Sequence, residues 1–217
     1  MIIAIDGPAG AGKSTVARAV AAELGYLFLD TGAMYRAVTL EVLERGVDPA
    51  DGEACGAVAD TLPLALDGAG RVLVDGRERE ADLRSRTVTR NVSTVSAHPA
   101  VRAAIVARQR DLAAEAGRAG TGVVAEGRDT TTVVFPEAEH RFFLVASAAE
   151  RARRRAAQEG TPERHEEILA DIRRRDRLDE TRAHSPLVRA PGAVVIDSDG
   201  LDAEQVTRRI LEAVRGA

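Results

Sequence analysis

The sequence predicts an α/β fold, a five-stranded parallel sheet with helices on both faces. Three observations predict it. Five short apolar runs recur along the chain, and helical patterns lie between them. A glycine-rich segment separates the first run from the first helical pattern. The length of 217 residues suits one α/β domain carrying an insertion.

The candidate strands are Ile2–Ile5, Tyr26–Leu29, Gly122–Ala125, Arg141–Val145 and Ala193–Ile196. The first helix carries Val16, Val20 and Leu24 on one stripe. A long helix starts after Pro99, carries Val101, Ile105 and Leu112, and ends near Glu115, where Gly117 and Gly120 follow. The last helix has Asp202 as its cap and Val206, Ile210 and Val214 four apart. One segment breaks the alternation. Leu62–Asp67 and Arg71–Asp75 are short alternating runs joined by Gly68-Ala69-Gly70, which reads as a β-hairpin. The Asp75-Gly76 turn then leads to a third short strand near Arg77–Glu80, so a small antiparallel insert spans about residues 62–84.

Composition excludes several classes. Apolar residues make up 45% and aromatics only 3%, with no Trp, so the core must be aliphatic. A net charge of −4 gives no overall attraction to nucleic acid or to an anionic membrane. The single Cys55 excludes an internal disulfide and a cysteine-rich metal site, and reads as a small buried hydrophobe. No stretch approaches the roughly 18 apolar residues of a membrane span. No basic, apolar leader is visible, so a soluble cytoplasmic protein is expected.

Gly7-Pro8-Ala9-Gly10-Ala11-Gly12-Lys13-Ser14-Thr15 fits the phosphate-binding pattern G-x-x-x-x-G-K-[ST]. It stands between strand and helix, as that motif requires. Its glycines let consecutive backbone N–H groups turn inward, and the helix N-terminus adds positive potential. Lys13 is suited to the β- and γ-phosphates of a nucleoside triphosphate, and the Ser14 hydroxyl to Mg²⁺. Lys13 is also the only lysine, so no N-K-x-D guanine motif exists, which argues against a GTPase. The remaining 29 basic residues are arginines.

Three further clusters suit a phosphoryl acceptor. Asp30-Thr31-Gly32-Ala33-Met34-Tyr35-Arg36 follows the second strand, with Thr31 placed to cap the next helix. Glu126-Gly127-Arg128-Asp129 closes the third strand, at the edge where parallel sheets bind ligands. In Arg175 to Arg182, the residues Arg175, Asp179 and Arg182 recur at i, i+4 and i+7, which places them on one helical face. From 150 to 182 ten Arg stand against nine Asp plus Glu, with no aromatic among them, a poor surface for a nucleic acid.

With these residues in place the chain closely resembles the bacterial cytidylate kinases, nucleoside monophosphate kinases that phosphorylate CMP and dCMP from ATP. The resemblance runs through Ile5–Thr15, Leu29–Arg36, Asn91–Arg102 with Ser93, Pro99 and Val101, Glu126–Asp129, Thr132–Pro136 and Arg175–Arg182, in order over nearly the whole chain. It implies the P-loop NTPase fold with a helical lid. The chain would be one domain over 1–217, with a core of 1–61 and 99–217, a monophosphate-binding insert at about 62–98 and a lid at about 158–171. Gly7, Pro8, Ala9, Gly10, Ala11, Gly12, Lys13, Ser14 and Thr15 would hold ATP, with Mg²⁺ on Ser14. Tyr35, Arg36 and Arg128 would surround the acceptor phosphate. Thr31, Arg102, Asp129 and Arg182 would lie around the acceptor nucleotide. Ser93, Arg175 and Asp179 would contact its pentose. Lys13, Arg128 and Arg36 are the residues implied to act on the transferring group. A monomer with small-molecule substrates, and with neither nucleic acid nor membrane as partner, is expected.

An acceptor phosphate is already largely a dianion near neutral pH, so the transfer needs cations and alignment rather than a general base. Asp129 is therefore read as a specificity carboxylate. It can accept from the exocyclic amine of cytosine and would repel the carbonyl that uracil carries there. The alternatives are a P-loop kinase for UMP or another small acceptor, and a non-enzymatic nucleotide switch. One departure stands out. Where the family pattern usually has a hydrophobic residue and then Gly after Arg-Asp, this chain has Thr130-Thr131. Threonine resists conformations that glycine permits, so the local turn is expected to differ.

Overall fold

The computed structural model describes residues 1–216. Along the chain run β1 (Ile2–Asp6), α1 (Lys13–Leu24), β2 (Leu27–Asp30), α2 (Thr31–Glu44), α3 (Gly52–Thr61), β3 (Leu64–Leu66), β4 (Val72–Val74), β5 (Arg77–Glu78), α4 (Glu80–Leu83), α5 (Arg86–Val95) and α6 (Pro99–Arg118). There follow β6 (Val123–Gly127), a π-helical turn (Thr130–Val134), β7 (His140–Val145), α7 (Ala148–Glu159), a 3₁₀ turn (Pro162–Arg164), α8 (His165–Thr181), β8 (Val194–Asp197) and α9 (Ala203–Arg215). The larger sheet is parallel, in the order β2-β6-β1-β7-β8, and a second sheet has the order β3-β4-β5. Every strand of the larger sheet starts within one residue of its apolar run, and each ends one or two residues later or, for β7, at the same residue. Residue contacts divide the chain into two compact units, Leu27–Val123 and the remainder.

The unit formed by Met1–Tyr26 and Val124 onward carries β1, β7 and β8 in register, with Ile5 opposite Phe142 and Phe143 opposite Val195. Ile3, Ile5, Phe142 and Leu144 are buried, as expected for strands covered on both faces. Helix α1 packs against α9. The Asp202 carboxylate accepts from the Gln205 N–H while the Gln205 side chain accepts from the Asp202 N–H, a reciprocal cap that fixes the start of α9. Helices α7 and α8 form a hairpin with its own core of Ala152, Ala156, Ile168, Leu169 and Ile172. The expected lid span of 158–171 covers the turn of this hairpin. Arg182 lies just past α8 in extended backbone, so the face read for Arg175 and Asp179 does not continue to it. Its guanidinium donates to the Ser185 carbonyl, which bends the chain away from the helical path.

In the unit Leu27–Val123, α3 packs on α6 so closely that a Cβ on Gly56 would come within 2.5 Å of Ala100 Cβ. Helix α6 continues one turn beyond the expected stop and passes through Gly117, which costs only about 1 kcal/mol in a helix. Gly120, at φ +79°, then ends it. The Asp30 carboxylate, not Thr31, caps α2, by accepting from the Ala33 N–H at 2.7 Å. A carboxylate is the better partner for the positive end of the helix, and it anchors Arg36 as well. Cys55 is fully buried.

The antiparallel insert is present, with Leu64 opposite Val74 and Leu66 opposite Val72. Asp67 shapes its first turn by accepting from the Ala69 and Arg71 N–H groups. Asp75 and Gly76, at φ +49° and +72°, make the second. Gly70, at φ +73°, lies against β2, where an added Cβ would fall 2.5 Å from the Phe28 carbonyl oxygen. Gly70→Ala should therefore lower stability by about 1–3 kcal/mol through strain and overlap together. Thermal melts of the variant check this, and an unchanged Tm would show that the turn does not rest on β2.

Candidate functional site

In the unit containing the phosphate loop, β1 ends at Asp6 and the chain enters the loop at Gly7. Gly7 has φ +151°, and a Cβ there would lie 2.0 Å from the Leu144 carbonyl oxygen, so only glycine fits. Gly10 and Gly12 also have positive φ, and α1 begins at Lys13. The Lys13 ammonium donates to the Pro8 carbonyl at 2.9 Å, inside the loop it belongs to. The Ser14 hydroxyl donates to Glu126 Oε1 at 2.6 Å.

Glu126, Arg128 and Asp129 leave the end of β6 beside this loop. Arg128 donates to Asp179 Oδ2 at 2.9 Å. Asp129 and Arg182, both buried side chains, lie 3.6 Å apart. The pairing links the strand edge to the end of α8, and it brings together four of the expected residues. Arg175 is on α8 one turn before Asp179. Burial, reinforced by the neighbouring Arg128, lowers the Lys13 pKa to about 7 against the opposing pull of Glu126, Asp6 and Asp179. Arg128 is half-buried, but Asp179 and Glu126 outweigh the cost of its desolvation and hold its guanidinium more firmly charged than usual.

The unit Leu27–Val123 carries Thr31, Tyr35, Arg36, Ser93 and Arg102. Arg36 pairs with Asp30 at 2.9 Å, and Arg36, with the Ala33 N–H, holds the buried Asp30 carboxyl below its ordinary range despite desolvation. The Arg102 guanidinium stands over the Tyr35 ring, 5.5 Å from its centre, a cation–π contact that orients both. Ser93 is half-buried on α5.

Four residues outside the expected set are built into this machinery. Glu126 receives the Ser14 hydroxyl, and its position at a strand end beside Arg128 was the available signal. Asp30 fixes Arg36. Arg151, at the start of α7, donates to the Ala9 and Ala146 carbonyls and to both oxygens of Asp176. It ties the loop to both hairpin helices. Asp6 accepts four hydrogen bonds from Thr130 and Thr131, and nothing in its sequence position beyond adjacency to the loop marks that role. A cavity of about 490 Å³ opens beside the loop, lined by Gly12, Thr15, Arg154, Ser198 and Leu201. That volume is in the range of small-ligand sites.

Lys13 sets a pH dependence. A polyphosphate on the loop favours the charged ammonium and raises its pKa, so binding takes up a proton wherever the empty site has lost it. The affinity for inorganic triphosphate should be level just below pH 7 and fall above it, by at most about tenfold per unit. Calorimetry in two buffers of different ionisation enthalpy should show proton uptake at pH 8. Affinity that is flat from pH 7 to 9, with no uptake, would leave Lys13 an ordinary lysine.

Comparisons with known proteins place the chain in a family. The family model described as "Cytidylate kinase" matches residues 3–216. The cytidylate kinase of Caldanaerobacter subterraneus subsp. tengcongensis is 46% identical over 216 residues, covering 98% of this chain and 94% of that protein. The cytidylate kinase of Rhodococcus opacus is 49% identical over 220 residues, covering 99% and 94%. Among solved structures, that of TT1252 from Thermus thermophilus shares the fold, with TM-score 0.52 at 22% identity over 100% of this chain and 96% of that one. The chain belongs to the cytidylate kinase family.

Proposed function

We propose that the chain transfers the γ-phosphoryl group of ATP to CMP or dCMP, giving ADP and CDP or dCDP. The observation that carries this reading is one compact unit in which the buried Lys13 and the half-buried Arg128 are close enough for Arg128 to lower the Lys13 pKa, while Asp129 is buried just past the end of β6. Two cations so placed favour a polyanion between them.

The loop from Gly7 to Thr15 holds the donor phosphates on backbone N–H groups and on Lys13. The cavity between Gly12 and Leu201 receives the donor nucleoside. The site fits Mg²⁺. Ser14 and Glu126 offer hard oxygens side by side, and directing the hydroxyl proton to Glu126 leaves the serine oxygen's lone pairs to a cation. Both oxygens of Asp6, by contrast, are already engaged. When bound, Mg²⁺ neutralises charge on the β- and γ-phosphates.

Donor and acceptor together bring roughly six negative charges. Arg128, Arg36 and Tyr35 bind the acceptor phosphate. Asp179 and Asp30 keep the two arginines oriented before substrate arrives, so little reorganisation is left to the reaction. Asp129 reads the cytosine amine, with Arg182 beside it, and Thr31 and Arg102 line the nucleotide. Ser93, Arg175 and Asp179 take the pentose, which suits both ribose and deoxyribose. No group needs to remove a proton from a dianionic acceptor. The α7–α8 hairpin serves as the lid that excludes water. Many of its arginines are tied locally, Arg153 and Arg154 to Glu150 and Arg164 to Glu167. Among the described residues, Arg173 and Arg177 on α8 make no ion pair, and they are the cations left to approach the phosphates. No helix among the described residues is long and apolar enough to cross a membrane, and a cytoplasmic monomer suits these soluble substrates.

A coupled assay for ADP release tests the reading with CMP, dCMP, UMP, AMP and shikimate as acceptors. CMP and dCMP should turn over best. In Asp129→Ala the preference for CMP over UMP should collapse, by up to about 100-fold, with donor affinity kept. Turnover confined to AMP or shikimate would overturn the assignment.

A further inference from the structure

Thr130 and Thr131, just past Asp129, converge on Asp6. Asp6 Oδ1 accepts from the Thr130 N–H at 2.9 Å and its hydroxyl at 2.6 Å. Oδ2 accepts from the Thr131 N–H at 2.7 Å and its hydroxyl at 2.6 Å. All three residues are at most 1% exposed. A carboxylate removed from water this completely is costly unless its lone pairs are met, and here four donors meet them. Thr131 does not adopt a positive φ, so glycine's freedom is not needed at this position. The turn accommodates threonine, and the threonines supply two hydroxyl donors that a hydrophobic residue and a glycine lack.

The location gives the clasp its consequence. Asp6 is the last residue of β1, and the phosphate loop starts at the next residue. Thr130 directly follows Asp129, whose carbonyl accepts the Val133 and Val134 N–H groups at 2.9 and 3.2 Å. The backbone on the C-terminal side of Asp129 is thus pinned both to β1 and to the π-helical turn. We propose that Asp6, Thr130 and Thr131 are positioning residues that fix Asp129 against the phosphate loop, so that the choice of acceptor base depends on the two threonine hydroxyls. This rests on the reading of Asp129 as the cytosine-selecting carboxylate.

The test is Thr130→Val/Thr131→Val, which keeps shape and both backbone hydrogen bonds but removes both hydroxyls. Its KM for CMP should rise and its kcat/KM preference for CMP over UMP should fall, each by roughly tenfold, since small misplacements at reacting sites have effects of that order or larger. KM for ATP should change less than twofold, a split that a general loss of stability does not produce. Thr130→Ser/Thr131→Ser, which retains the hydroxyls, should restore the preference. Should the double valine variant fail to fold, the two single valine variants carry the same comparison. Wild-type protein that phosphorylates CMP, beside valine variants that match it in KM and in preference, overturns the positioning role whatever their Tm. Wild-type protein inactive on CMP overturns the reading beneath it, and the proposal with it.

Discussion

The phosphate-loop unit is organised around a buried ammonium whose nearby carboxylates are already committed. Asp6 is bound by Thr130 and Thr131, Glu126 by Ser14, and Asp179 by Arg128. Lys13 has the Pro8 carbonyl as its hydrogen-bond acceptor. Desolvating a cation in that setting lowers its pKa, and a second, half-buried cation, Arg128, adds to the effect. A triphosphate on the loop would therefore meet a cation whose charged form is disfavoured by burial, and would favour that form.

A site that attracts charge must also hold its shape, and this unit does so with buried polar staples. Arg151 joins the Ala9 carbonyl, the end of β7 and Asp176, with a planar fork that a lysine could not reproduce. Asp6 joins β1 to the turn after Asp129. Arg151 and Asp6 are themselves buried, where hydrogen bonds to charged groups are strong and an unmet one is costly. The α7–α8 hairpin has a small aliphatic core of its own, and Arg151 anchors its base to the phosphate loop.

Features governed by periodicity and by local turn chemistry were legible in the sequence. The parallel strands, the hairpin ending at Asp75-Gly76 and the cap at Asp202 all came from apolar spacing or from single turn residues. The phosphate loop was equally plain, because the chemistry needs glycines and one lysine at fixed spacing. What was not legible depended on partners distant in the chain. Thr31 looked like the cap of α2, but Asp30 also holds Arg36 and takes that place. Arg182 looked helical, and its contacts to Ser185 and Asp129 draw it out. Thr130-Thr131 looked like a disturbance, and only folding against Asp6, more than a hundred residues earlier, turns the hydroxyls into ligands.

Lys13 being the only lysine makes its pKa directly measurable. Protein labelled with ¹³C at the lysine ε position yields one lysine side-chain resonance, which can be followed with pH by NMR with and without an unhydrolysable ATP analogue. The account predicts a midpoint near 7 in the empty protein and a markedly higher one with the analogue bound. A midpoint near the ordinary lysine value in the empty protein, unmoved by the analogue, would contradict it.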